Sequence, residues 1–195
     1  MEEIQNYDVL IDDSGWGNPL GGVIIGLYKF DLRVFTSRII APNYFQVPNY
    51  QQKKYLPQIA LKSLEMINEF NVGKTERILV CRGYCNSYTP KLLISNGFTN
   101  VETGVVGEPL QTWIEEKYKE YLYSIGFNGY SDPKNLDKKT ISRGFYDTVK
   151  WAIENNKLDF CKTGWDYFLN DKRFKLKFEV SEQPKRKKRP RIKKI

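Results

Sequence analysis

The chain of 195 residues contains no histidine. That absence excludes Ser-His-Asp and Cys-His nucleophiles and any zinc site built on imidazole. Acid–base or metal chemistry must then come from Asp, Glu, Lys, Tyr or water. Cysteine is scarce as well: Cys81, Cys85 and Cys161 cannot all pair internally, which fits a reducing compartment. No apolar run approaches the roughly 20 residues of a membrane span. The first residues, Met-Glu-Glu-Ile-Gln, are acidic and polar and do not read as a secretory signal. The expectation is an intracellular protein, cytoplasmic or nucleoid-associated (nuclear in a eukaryote), with no membrane partner.

Charge of one sign is missing from the last eleven residues. Lys185 to Ile195 holds eight basic residues and no acid. The chain carries 31 Lys and Arg; less these eight, 23 remain against 23 Asp and Glu. The net charge of +8 therefore reports a tail on a neutral body. A run such as Lys185-Arg186-Lys187-Lys188-Arg189 binds polyanions by counterion release without reading sequence, and also fits a nuclear-localisation pattern. The body is long enough for one domain with an appendage.

The stretch Val9-Leu10-Ile11-Asp12-Asp13-Ser14-Gly15-Trp16-Gly17 runs an apolar strand into two adjacent carboxylates and a glycine turn. Acids at the end of a buried strand are costly unless compensated. A metal ion compensates them and does chemistry; an Asx turn capped by Asp13 and Ser14 is the plainer reading. Alternation predicts strands over 7–12, 21–29 and 32–41, joined by short connections as an antiparallel meander. A helix over 54–70, a buried strand over 77–82, a short helix over 88–96, a strand over 100–106 and a helix over 108–125 follow. The strand–helix–strand portion should run parallel beside the meander. Further helices are expected over 143–155 and 161–170, and a strand over 174–180. The domain reading is a core over 1–126, an extension packed on it over 127–183, and a disordered basic tail over 184–195.

This βββ-α-β-α-β-α order, with Ile11-Asp12-Asp13-Ser14-Gly15 closing the first strand, resembles the ribonuclease H-like superfamily over about residues 7–125. The segment Gly107-Glu108-Pro109-Leu110-Gln111-Thr112-Trp113-Ile114-Glu115 is similar to a pattern recurring in prokaryotic proteins with an Asp-x-Ser-Gly first strand, a likeness that assigns no activity. The superfamily resemblance implies an α/β fold and two metal ions held by acids from strand 1, strand 4 and a helix, cleaving phosphodiesters. Mg²⁺ or Mn²⁺ would be the cofactor and RNA or DNA the partner. Asp12 and Asp13 point to opposite faces of an extended strand, and both remain candidates. Strand 4 departs from the pattern, because Arg82 stands where a carboxylate is expected. Its guanidinium would bind a phosphate or pair with Asp12 or Asp13.

A replacement acid comes from the helix over 108–125. Glu115 sits at the edge of its apolar stripe, where it either reaches the sheet rim or pairs with Lys119. Glu108 is its rival, with a helix-capping role as the alternative. Glu65, Glu69 and Asp147 are weaker candidates that also read as solvated helix acids. Trp16 beside the acids would stack on a base if exposed, or staple the hairpin if buried. The functional expectation is a metal-dependent nuclease or related phosphodiester-processing protein. A catalytically inactive binding module of the same fold for nucleic acid or protein is the alternative. An actin-like ATPase is a third reading, weakened because such proteins need two such domains.

Overall fold

The computed structural model describes residues 6–131 and 136–170. The expected strand over 174–180 and the basic tail, Lys185, Arg186, Lys187, Lys188 and Arg189 included, lie outside them. The chain divides into two units, residues 1–164 and 165–195. The second contributes one described helix, Asp166–Asn170.

In the first unit, β1 (Val9–Ser14), β2 (Val23–Lys29) and β3 (Val34–Ile40) form the antiparallel meander. Then come α1 (Tyr55–Glu69), β4 (Arg77–Cys81), α2 (Thr89–Ser95), β5 (Asn100–Gly104), α3 (Leu110–Ser124) and α4 (Lys138–Glu154). The helix Asp166–Asn170 completes the series as α5. The sheet order is β3-β2-β1-β4-β5, with β4 parallel to both β1 and β5. The protein is thus α/β, with a five-stranded mixed sheet and helices on both faces. The two central strands, β1 and β4, end on the same edge.

Period-two alternation sorts the core. Val9, Ile11, Ile25, Ile78 and Val80 pack with Ile59, Met66 and Ile67 of α1. Leu10, Tyr28 and Leu79 pack with Leu110 and Ile114 of α3. Burial of both faces explains why β1, β2 and β4 read as near-continuous apolar runs. At the far end of β2 the buried Lys29 ammonium is neutralised by Glu76 (2.7 Å) and Asp31 (3.1 Å).

Three expectations need correction. β1 extends two residues beyond residue 12, because Asp13 and Ser14 still pair with Ile25 and Ile24. Residues 161–164 are not helical: Cys161 bridges Leu20 and Lys162 N–H donates to Pro19 O at 2.9 Å, so this segment lies along the loop after β1. α4 also begins earlier than expected, at Lys138, because the Asp137 carboxylate caps Lys139 and Thr140 N–H.

Gly26 sets the approach of α3. A Cβ there would meet Ile114 Cγ2 at 2.1 Å. It is the residue paired with Asp12 across the β1–β2 ladder, so its lack of a side chain admits α3 beside the end of β1. Gly26→Ala is expected to destabilise the protein by about 1–3 kcal/mol through overpacking. In an Ile114→Ala background the same substitution should cost less, giving a non-zero coupling in a urea-unfolding double-mutant cycle. Additive costs would show that the α3 approach does not depend on this contact.

Candidate metal centre

The edge where β1 and β4 end together is the usual place for ligands on a sheet with parallel central strands, since side chains and loops converge there. Asp12 follows the Ile11–Val80 pair and lies level with Cys81 on the α3 face. Asp13 continues the Val9–Ile11 face towards α1. Their carboxylates still meet. Asp13 N–H donates to Asp12 Oδ1 at 2.8 Å, turning that carboxylate back over the strand end. One ligand atom each from Asp12, Asp13 and Cys81 then falls within 4.8 Å of the others. Directly after them the chain turns at Gly15, with φ +88°, over the ring of Tyr118; a Cβ on Gly15 would sit 2.3 Å from that ring.

Asp12 is 6% exposed. Burial pushes its carboxyl up to about 7; the Cys81 thiol and the Asp13 N–H oppose the shift, and the charges of Asp13 and Glu115 add to it. Burial raises Asp13 too, opposed by the Cys85 thiol, the Lys162 ammonium and the Asn86 amide. Both thiols rise through burial and the adjacent acids, Cys81 to about 12. The group therefore resists carrying its full negative charge unless a cation joins it. Two buried polar atoms at its margin have no hydrogen-bond partner among the described residues. One is Asn86 Oδ1, on the amide whose Nδ2 donates to Asp13 Oδ1 at 2.8 Å. The other is Ser14 Oγ, next in the chain. Asn86 is 1% exposed and Ser14 2%. Unsatisfied groups so deeply buried are uncommon, and a cation with its water supplies partners of the right kind.

Sequence reasoning missed Cys81 of this group, and it missed Lys162 beside it. Lys162 is fully buried and donates to Gly15 O and to Asn18 O (2.6 Å). Its side chain therefore ties down the loop after the acid pair. Burial lowers it to about 7, and the Asp13 carboxylate opposes that shift. No local pattern marks it, because its partners lie 144 and 147 residues away. Asn86 was missed for a similar reason: it sits in a one-turn helix, Tyr84–Asn86, inside a stretch expected only as connection.

The other expected site residues distribute unevenly. Glu115 lies near enough for its charge to raise Asp12, and it accepts from Tyr130 OH at 2.8 Å, but it is not part of the tight group. Arg82 is exposed, its N–H donates to Gly104 O at 2.9 Å, and its guanidinium forms no ion pair among the described residues. The register sets Cys81, rather than Arg82, beside Asp12. Glu108 is exposed and accepts from Thr112 N at 3.3 Å, which is the capping role. Glu65 pairs with Lys62 at 2.7 Å and Glu69 with Arg38, and Asp147 is exposed on α4. None of these last four joins the group. Trp16 is half-buried, 5.4 Å from Tyr55 and 6.0 Å from Tyr84 by ring centroids, so it is both a staple and part of an aromatic rim.

No protein-family model and no curated protein matches the chain.

The raised Asp12 carboxyl makes stability pH-dependent. The folded state binds this proton more tightly than the unfolded chain, whose carboxyl titrates near 3.8, so stability falls as pH rises from about 4 to about 7 and is level beyond. Asp12→Asn removes that loss. At pH 8 in the absence of divalent ions the variant should be more stable than the wild type by roughly 2–4 kcal/mol, with the gap closing near pH 4. Thermal melts across that range check it; a gap independent of pH would contradict the assignment.

Proposed function

We propose that this protein is a metal-dependent, phosphodiester-cleaving enzyme of ribonuclease H-like fold acting on RNA or DNA. One observation carries the reading: the convergence of Asp12, Asp13 and Cys81 within 4.8 Å at the shared edge of β1 and β4. The strand order supports the resemblance, because the antiparallel meander, the parallel pair and the helix over the first aspartate occur in the expected sequence. The carboxylates suit a hard divalent cation such as Mg²⁺ or Mn²⁺. Held by Asp12 and Asp13, such a cation would supply an activated water and charge stabilisation at a phosphodiester.

The chain's own residues have separable tasks. Asp12 and Asp13 ligate. Glu115, held by Tyr130, orients water or a further ligand from the α3 side. Asn86 fixes Asp13, and Lys162 fixes the Gly15–Asn18 loop that frames it. Arg82, exposed at the end of β4, meets a phosphate oxygen of the substrate. Tyr84 and Tyr88, 51% and 50% exposed, extend the rim begun by Trp16, and Lys53 Nζ lies 5.9 Å from the Tyr84 ring centroid. Aromatic faces alternating with cations suit stacked bases and their phosphates. The basic tail adds affinity without sequence preference. Among the described residues no helix is long and apolar enough to cross a membrane.

A second reading has its own support. The β4 position beside Asp12 holds a thiol instead of a carboxylate, which would suit a binding module of this fold that has lost turnover.

The deciding experiment offers labelled single-stranded, duplex and hybrid RNA and DNA to the purified chain, with Mg²⁺, Mn²⁺, Zn²⁺ or EDTA. Cleavage that needs the cation and falls at least ~100-fold in Asp13→Asn is expected. Nucleic-acid binding without cleavage under any cation, unchanged in Asp13→Asn, would favour the binding module. Tyr84→Ala should weaken binding to single strands by about 1–3 kcal/mol as a stacking partner is lost, read by fluorescence anisotropy in EDTA; equal affinity would remove Tyr84 from the interface.

A further inference from the structure

We propose that the cation of this centre is a thiophilic, zinc-class ion held by Cys81 Sγ together with Asp12 and Asp13, which deepens the metal-dependent reading above and rests on it. Cys81 is the third member of the group whose ligand atoms lie within 4.8 Å of one another. It comes from β4, a different element from the two acids, so the three donors approach from two strands. Three protein ligands leave a fourth position open on a tetrahedral ion. That is the arrangement of catalytic zinc sites, whereas structural sites use four protein ligands.

The donor type discriminates between cations. Sulfur raises affinity for Zn²⁺ and its neighbours, while Mg²⁺ prefers oxygen in octahedral geometry and keeps much of its water. A purely oxygen-ligated Mg²⁺ centre gains nothing from a thiol at this position. A second sulfur stands close by. A Cβ on Gly83 would be 3.7 Å from Cys81 Sγ and 3.9 Å from Cys85 Sγ, so the two thiols flank one point of the turn after β4. The Cys85 thiol lies close enough to Asp13 to act on its carboxyl, as the Cys81 thiol does on Asp12. Each carboxylate therefore has a sulfur neighbour.

Independent support comes from the buried surroundings. Asn86 Oδ1 has no partner among the described residues, although its amide is anchored on Asp13 and only 1% of the residue is exposed. An ion with one bound water supplies a donor for it. The lack of histidine also removes the commonest competing zinc ligand, leaving thiolate and carboxylate as the chain's strongest donors. On binding, the Cys81 proton passes to solvent and the sulfur–metal bond replaces the S–H bond.

The test uses the full chain stripped with chelator and reloaded with Co²⁺, a spectroscopic stand-in for Zn²⁺. Expected is one equivalent of Co²⁺ showing a near-ultraviolet sulfur-to-cobalt charge-transfer band, displaced by Zn²⁺ but not by excess Mg²⁺. The band should be lost in Cys81→Ser, with Zn²⁺ affinity down by about tenfold or more and Mg²⁺ affinity unchanged. Should Cys81→Ser fail to fold, the wild type still decides: one equivalent of Zn²⁺ should slow alkylation of one thiol, mapped to Cys81 by mass spectrometry, where Mg²⁺ does not. Mg²⁺ or Mn²⁺ binding that needs Asp13, with no charge-transfer band and no thiol protection, would overturn this proposal and leave the metal-dependent reading standing. Absence of binding by any divalent cation would overturn both.

Discussion

Two carboxyl groups and a thiol sit together at the buried end of a central strand, and they cannot share that space with their full charge. Everything around them reduces the conflict. The Asp13 N–H is turned onto Asp12, the Asn86 amide onto Asp13, and a buried lysine lies close enough for its charge to act on Asp13. None of these neutralises the group completely, because burial still lifts both carboxyls above their ordinary range. Two acids and a thiol held this close are a group that could hold a positive ion. That constraint accounts for the local architecture better than an Asx turn does. A turn would need one aspartate, exposed, and would not need Lys162.

The backbone is shaped to allow the crowding. Gly15 takes a conformation that L side chains rarely adopt, and passes over Tyr118 at a distance no Cβ would tolerate. Tyr118 in turn donates to Leu20 O at 2.6 Å, tying α3 to the same loop that Lys162 ties from the other side. Gly26 then lets α3 settle beside Asp12, which brings Glu115 within electrostatic reach. The glycines of this region act in concert with bulky partners on α3. The site's geometry is thus a packing result as much as a local motif.

Much of the sheet was legible because its strands are buried on both faces and bounded by turn residues. The meander and the later strand–helix alternation followed from runs such as Val23–Lys29 and Arg77–Cys81. The acid pair was legible for the same reason: carboxylates in an apolar run are conspicuous. What pairs with them was not. Whether Cys81 or Arg82 faces Asp12 depends on the parallel register of β4 against β1, which alternation within β4 alone does not determine. Glu108 and Glu115 fall in one expected helix, but α3 begins at Leu110, so Glu108 precedes it as a capping residue while Glu115 lies within it near the site. The segment around Lys162 resembled a helix start, but pairing with Leu20 holds it extended, a tertiary preference that outweighs local propensity.

The unit that carries the sheet runs to Gly164 and so includes Lys162, the residue that anchors the Gly15–Asn18 loop. Residues 158–164 contribute more than this lysine. Gly21 N–H donates to Phe160 O at 2.7 Å, the Gln46 amide donates to Asp159 O and Cys161 O, and Gly164 N–H donates to Phe45 O at 2.9 Å. These bonds clamp the loop after β1 and the Pro42–Phe45 turn together, beneath Trp16 and its aromatic neighbours. The acids and the aromatic rim therefore share one support. At the end of β4 a thiol stands with the two acids, and a lysine from the far end of the unit lies close enough for its charge to act on Asp13. The group is thus assembled from β1, β4 and residue 162, three places in the chain that only the tertiary fold brings together.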